Sequence, residues 1–341
     1  MSKNEKGVAE IVVIGGSAGA LDGLRELLSL LPSDFPGVIL IVVHIPNEFP
    51  SYLASILNRA GRLPVTEVHG RERLRRGHVY VAPPDRHLLV EDGYAEASRG
   101  PRENRHRPAI DPLFRTAARA YGRRVIGVVL SGNLDDGSSG LMAVKMAGGL
   151  AVVQDQREAH CPEMPKRAKQ YAKAEHELKV AKIAELLVEQ TRAAREGRVQ
   201  GGEVAMAEDI GREGEKAKLE SDANREKQGK PSAMSCPECG GVLWELQEGE
   251  LLRFRCRVGH AYTADTLRTE MTEGVEQALW ASMRALEEKG ALLRRLAERA
   301  GDRLGQEYTQ EAKGYDKHVQ TIRQMLVANQ GLQEEEEHAA D

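Results

Sequence analysis

The feature that most constrains this chain is an apolar run, Ile11-Val12-Val13-Ile14, that leads directly into Gly15-Gly16-Ser17-Ala18-Gly19 and then into a helical pattern. An unbroken β-branched run suits a strand buried on both faces. Leu21, Leu24, Leu27, Leu28 and Leu31 then fall on one side of a helix, and Val38 to Val43 is a second β-rich run. Strand, helix and strand in such close succession make a βαβ unit, whose strands run parallel because the connection crosses over. Further strand patterns at Val79–Val81, Leu88–Val90, Val125–Leu130 and Leu150–Val153, with a helix at Leu141–Ala147, extend it to an α/β domain with a mostly parallel sheet. Glu91-Asp92-Gly93 after the Leu88 strand reads as a hairpin turn. Apolar residues are 41% of the chain but aromatics only 4%, so the core must be aliphatic.

Beyond about residue 190 the character changes. Residues 192–233 are rich in Glu, Lys and Gly and read as a charged linker. Residues 234–263 hold a Cys/His cluster. Residues 264–329 repeat apolar positions at helical spacing: Leu267, Met271, Val275, Leu279, Met283 and Leu286, then, past Gly301-Asp302, Tyr308, Tyr315, Val319, Ile322 and Leu326. This predicts a helical hairpin. Residues 1–9 read as a disordered N-terminus and residues 330–341 as an acidic, disordered tail. A formal net charge of −4 argues against a general nucleic-acid binder. No run of 18 apolar residues occurs, so no membrane insertion is expected. The polar start lacks a secretory h-region, and a cytoplasmic location is expected.

Three polar residues stand where strands give way to loops. Ser17 lies in a G-x-S-x-G turn between strand and helix, a pattern that projects a nucleophile beside free helix N–H groups. A phosphate-binding loop is the competing reading. Taken alone, the turn favours a structural turn or such a loop over a hydrolase, although neither G-x-G-x-x-G nor GK[ST] is present and the second strand ends in His44 rather than an acid. His44 at that neighbouring strand end supplies a general base. The third strand exit, Ser131-Gly132-Asn133-Leu134-Asp135-Asp136-Gly137, offers two acids that could orient an imidazole, and spacing does not choose between them.

GGSAGALDGL, VVHIP, YVAPPDRHL, NRHRPAIDPLF and LSGNLDDGSSGL, in this order, resemble the catalytic domain of chemotaxis protein-glutamate methylesterases of the CheB type over residues 10–191. The resemblance implies a doubly wound, Rossmann-like fold and a catalytic set of Ser17, His44 and Asp136, Asp136 being the acid that precedes Gly. It implies hydrolysis of glutamate methyl esters on methylated chemoreceptor helices, with deamidation of glutamines in some members, and no cofactor for catalysis. Ala18 and a residue near Asn133 are the implied oxyanion donors. At these two positions the family commonly has Thr and Met, which leaves a scaffold that keeps the fold without turnover as the alternative. The sequence opens almost at the first strand, so control by an attached receiver domain is not expected. Eight arginines, 99, 102, 105, 107, 115, 119, 123 and 124, read either as a surface for an acidic receptor helix or as ion pairs within the fold.

Cys236-Pro-Glu-Cys239, sixteen residues, then Cys256-Arg-Val-Gly-His260 has the spacing of a zinc ribbon with a closed, structural site. The acidic helices beyond it favour protein over nucleic acid, and other chemosensory signalling proteins are the expected partners there. Cys161 has no partner by spacing and reads as packing.

Overall fold

The computed structural model describes residues 11–45, 51–91, 93–195 and 229–339. The N-terminal residues 1–9 and most of the charged linker lie outside these. The chain divides into two compact units, Met1–Leu267 and Arg268–Asp341.

The first unit opens with β1 (Ile11–Gly16), α1 (Ala20–Leu30), β2 (Val38–Val43), α2 (Leu53–Ala60), β3 (Val65–Glu67), β4 (Arg71–Arg73) and β5 (His78–Val81). It continues with β6 (His87–Glu91), β7 (Tyr94–Ser98), α3 (Ile110–Tyr121), β8 (Val125–Val129), α4 (Ser138–Met146) and β9 (Leu150–Gln154). The α/β part ends with α5 (Glu163–Ala172), β10 (His176–Leu178) and α6 (Val180–Arg195). Seven strands form one sheet in the order β10-β9-β8-β1-β2-β5-β3, and every pairing in it is parallel. The period-two alternation of β1 explains the two layers. Ile11 and Val13 face one apolar cluster, with α3, α4 and α5. Val12 and Ile14 face the other, with α1, α2 and α6. All four are fully buried, as a sheet covered on both faces requires. The fold is therefore the expected α/β, doubly wound sheet. The Glu91 turn closes an antiparallel hairpin, β6–β7, which with β4 makes a separate three-stranded sheet.

Residues 229–263 form a four-stranded antiparallel sheet: β11 (Lys230–Ser235), β12 (Val242–Glu248), β13 (Leu251–Cys256) and β14 (Ala261–Thr263). This ribbon belongs to the same compact unit as the α/β layers. At the tip of its β12–β13 hairpin, Leu251 is 2% exposed and belongs to the apolar cluster of α3, α4 and α5. Beside it runs a buried charge network. Arg115 of α3 donates to both carboxylate oxygens of Glu103 (2.7 and 2.6 Å), and Arg253 of β13 donates to Glu103 (3.2 Å) and Glu248 (3.0 Å). Glu248 in turn accepts from the Ser139 hydroxyl of α4 (2.8 Å).

In the second unit the remainder of α7 (Ala264–Ala297) and α8 (Asp302–Ala339) pair antiparallel. Glu287 meets Arg323 and Arg294 meets Asp316, so the numbers run in opposite directions. Met283, Leu293, Ala312, Val319 and Leu326 are buried. The apolar stripe does not stay covered along its length, since Met271 and Val275 are exposed. Helix α8 takes in Glu334–Glu337, read from charge as a disordered tail; glutamate is a good helix former, and that preference continues the preceding helix.

Two outcomes follow for stability. Leu251→Ala should cost about 2–5 kcal/mol in urea unfolding, and a loss below about 1 kcal/mol would mean that the hairpin tip is not part of the core. Burial works to raise the Glu103 pKa, but Arg115 and Arg253 outweigh it and hold it down at about 2. A carboxylate depressed in the folded state contributes stability above its unfolded pKa and loses it as pH falls through the folded one. Glu103→Gln should therefore be clearly less stable than wild type at pH 7, and the gap should close between about pH 4.5 and pH 2.

Candidate active site

Ser17, His44 and Asp136 follow the C-terminal ends of three adjacent strands, β1, β2 and β8. The chain leaves β1 toward β2 on one side and returns to β8 on the other, so this is the switch point where open α/β sheets form their crevices. Helix α3 comes in across it, close enough that a Cβ on Gly15 would lie 2.2 Å from the Ile110 side chain.

Asp136 is 2% exposed and saturated with donors. Oδ2 accepts from His44 Nε2 at 2.8 Å and from the Ile110 N–H at 2.6 Å. Oδ1 accepts from Asn104 Nδ2 at 2.9 Å and from the Asp111 N–H at 3.3 Å. Ile110 and Asp111 are the first residues of α3, whose free N–H groups carry partial positive charge. Burial alone would raise the Asp136 pKa; the His44 hydrogen bond and charge, then the Ile110 and Asn104 bonds, outweigh it and hold the carboxyl below its usual range. An ionised Asp136 can only accept, so His44 carries its proton on Nε2 and keeps a lone pair on Nδ1.

Asp111, also fully buried, reciprocates. Its Oδ1 takes the N–H groups of Gly137 (3.1 Å) and Gly140 (2.6 Å) at the start of α4, and its Oδ2 takes the other hydrogen of Asn104 Nδ2 (3.0 Å). Burial and the charge of Asp136 push its pKa up to about 7.

Asn104 and His106 were not singled out from sequence. Both sit in a tight turn closed by hydrogen bonds between Glu103 and His106, with Asn104 at φ 48° and Arg105 at φ 72°. Positive φ at both central residues, as in a type I′ turn, suits asparagine but is costly for arginine, and must be held there by what surrounds it. The turn stacks the His106 ring on His44, centroids 3.5 Å apart and 13° from parallel. Burial and then the neighbouring His44 charge lower the His106 pKa to about 3, so it is neutral near pH 7. The signal lay within NRHRPAIDPLF, where the arginines drew attention. Of the eight arginines between residues 99 and 124, Arg99 and Arg107 pair with Asp85 and Arg115 pairs with Glu103.

Ser17 is half-buried and its backbone is pinned: its N–H donates to Ser131 O (2.9 Å), and Ser131 Oγ donates to Ala18 O (2.7 Å). The His44 N–H reaches Gly16 O (3.2 Å), which holds the base strand beside the serine turn. Among the described residues the Ser17 hydroxyl has no hydrogen bond to His44. Gly132 is close-packed, since a Cβ there would lie 2.7 Å from Met164 Sδ and 3.0 Å from Ser17 Cβ. The Gly132 N–H is taken by Cys161 O (2.9 Å), and Leu134 N–H by Glu163 (2.9 Å), while Ala18, Gly19 and Asn133 in these loops are exposed residues. Asp135 points away, accepting from the Thr263 and Thr266 hydroxyls (2.8 and 2.9 Å).

Cys236, Cys239, Cys256 and His260 are brought together, their ligand atoms all within 4.8 Å of one another. Cys239 Sγ lies 3.6 Å from Cys256 Sγ, and His260 Nδ1 lies 3.7 and 3.5 Å from Cys236 and Cys256 Sγ. Tetrahedral bonds of about 2.3 Å to sulfur and 2.0–2.1 Å to nitrogen would separate such ligands by about 3.5–3.8 Å. The set therefore fits a closed four-ligand metal site. Glu238 Oε2 takes His260 Nε2 (3.2 Å), which turns Nδ1 toward the thiols.

A family model described as CheB methylesterase matches residues 12–187, more than half of the chain. A Geobacter metallireducens protein-glutamate methylesterase/protein-glutamine glutaminase is 41% identical over 163 residues, 47% of this chain and 45% of the relative. A putative enzyme of the same name from Leptospira interrogans is 41% identical over 180 residues, 52% of this chain and 93% of the relative. The chain thus spans about half of the first relative and nearly all of the second. The crystal structure of the Thermotoga maritima CheB methylesterase catalytic domain aligns with a TM-score of 0.51 and 34% identity, covering 53% of this chain and 98% of that one. With the strand-end constellation and these matches together, the chain belongs to the CheB methylesterase family.

Proposed function

We propose that this chain is a serine hydrolase that removes methyl groups from glutamate methyl esters on chemoreceptor helices. The observation that carries the reading is the 2.8 Å bond between His44 Nε2 and a buried Asp136 carboxylate, formed beside the Ser17 turn. Ser17 Oγ attacks the ester carbonyl and its proton passes to His44 Nδ1, the nitrogen that Asp136 leaves free. Asp136 stabilises the imidazolium that forms. The oxyanion is held by the Ala18 N–H at the entry to α1 and by the Asn133 backbone opposite. His44 then gives its proton to the departing methanol, and water repeats the sequence to release the glutamate. The neutral ring of His106 covers one face of His44 without adding a second positive charge. The same attack on a glutamine side chain would release ammonia, the glutaminase activity named for the relatives.

The Cys236, Cys239, Cys256 and His260 cluster would hold a structural zinc ion. Thiolates and imidazole suit zinc, all four positions are filled by the protein, and a ribbon this small gains much of its folding energy from such an ion. Free thiols in this number suit a reducing compartment such as the cytoplasm. No helix among the described residues is long and apolar enough to cross a membrane. The helices of the second unit are read as contacts for other chemosensory proteins.

Methanol release from methylated receptor is the test of the esterase. Wild type should turn over, and Ser17→Ala should lose at least about a thousandfold in kcat with its fold intact. A wild type that releases no methanol would favour the scaffold reading instead. Metal analysis of the purified chain should give about one zinc per protein. Cys239→Ser should lower that content sharply; full zinc retention there would overturn the four-ligand assignment.

A further inference from the structure

Asn104 links the ribbon to Asp136. Asn104 is 1% exposed, and its backbone N–H and both side-chain polar atoms are used. Its backbone N–H donates to Ala261 O (2.8 Å), and its Oδ1 accepts from the Thr263 N–H (3.0 Å), both on β14 of the ribbon. Its Nδ2 gives one hydrogen to Asp136 and one to Asp111. Asparagine's two side-chain ends are nearly isosteric, so something must decide which faces the carboxylates. A backbone N–H can only donate, so Thr263 holds the oxygen of Asn104 on its own side and leaves the amide nitrogen toward Asp136. The contact belongs to a built interface. Glu103 bridges to Ala261 in a parallel pairing, Thr263 Oγ1 reaches Asp135, and Arg253 and Leu251 anchor the same sheet nearby.

We infer that Asn104 is a positioning residue for Asp136, and that β14 of the Cys/His ribbon sets its orientation through the Thr263 N–H, making the ribbon a working part of the esterase site. This rests on reading Asp136 as the acid that orients His44. If Asn104 turned over, an amide oxygen would face the Asp136 and Asp111 carboxylates. The added negative potential would raise the proton affinity of the His44–Asp136 pair, whichever of the two took the proton. The titratable groups that interact with this pair are Asp111 from α3, Asp135 beside it, His106 from the turn and His87 from β6, and Arg115 of α3 and Arg253 of the ribbon act on Asp111.

The experiment is a pH profile of methanol release by the full chain. It compares wild type with Asn104→Asp, Asn104→Ala, and a protein in which the Thr263 peptide N–H is replaced by an ester oxygen. Asn104→Asp should move the acidic limb of kcat/KM up by about one pH unit. Asn104→Ala, which removes a donor without adding charge, should move it less in the same direction, and it carries the test if the aspartate variant does not fold. The Thr263 ester should move it likewise while leaving zinc content and thermal unfolding near wild type. Acidic limbs that stay in place in both folded Asn104 variants would overturn the positioning role. Limbs that move in those variants but not in the ester would overturn the part assigned to the ribbon. NMR titration of the His44 ring reads the same shift without turnover. If wild type releases no methanol, the proposed function falls while the His44 titration still decides this inference.

Discussion

Helices α3 and α4 each begin on a carboxylate supplied by the other. Asp136, just before α4, takes the first N–H groups of α3, and Asp111, in the first turn of α3, takes those of α4. A single side-chain cap contributes about 1 kcal/mol, but the larger consequence is geometric. Two helix starts and two carboxylates fix one another, so Asp136 cannot turn without disturbing both helices. The arrangement puts two buried acids around one asparagine amide. His44 donates to only one of them, so Asp136 keeps the charge and Asp111 is the more readily protonated of the pair.

The ribbon attaches to this frame by both apolar and charged contacts. A module of this size has too little interior to stabilise itself by apolar burial alone. Its docking face is partly apolar, at Leu251, and partly a buried alternation of charges, Arg115–Glu103–Arg253–Glu248. Buried ion pairs add little stability over an apolar contact of the same shape, but removing one member leaves an uncompensated charge. Such a network therefore favours a single docking register, and a fixed register is what a hydrogen bond from Thr263 to Asn104 needs.

The sequence made the sheet legible because β1, β2, β8 and β9 are apolar runs that nothing but a doubly covered strand accommodates. Ser17 and His44 were legible for the same reason: polar residues at the ends of such runs lie at strand ends. Helix α3 was not read as a helix, although Asp111, Arg115 and Arg119 lie at i, i+4 and i+8 along it, because the arginines of residues 99–124 were read together as one charged stretch. The Asn104–Thr263 contact joins residues 159 apart, across a stretch with no pattern to pair them. The same holds for Glu103 and Arg253. Spacing arguments find local clusters such as Cys236 and Cys239, but they do not find a docking register.

Asp135 and Asp136 show how far environment separates neighbours that sequence presents as equals. Both are buried, and burial raises the pKa of each on its own account. Asp136 answers that cost with two helix N–H groups, an amide and an imidazole. Asp135 has two threonine hydroxyls on one oxygen and no protein partner on the other among the described residues, and its pKa stays raised at about 6. Of those two hydroxyls, one belongs to Thr263, whose backbone N–H holds Asn104 against Asp136. One ribbon residue thus addresses both acids by different atoms. Environment separates Asp136 from Asp135 in the same sense as the family likeness does by position before Gly137: Asp136 receives the α3 N-terminus, and Asp135 receives only the hydroxyls of Thr263 and Thr266.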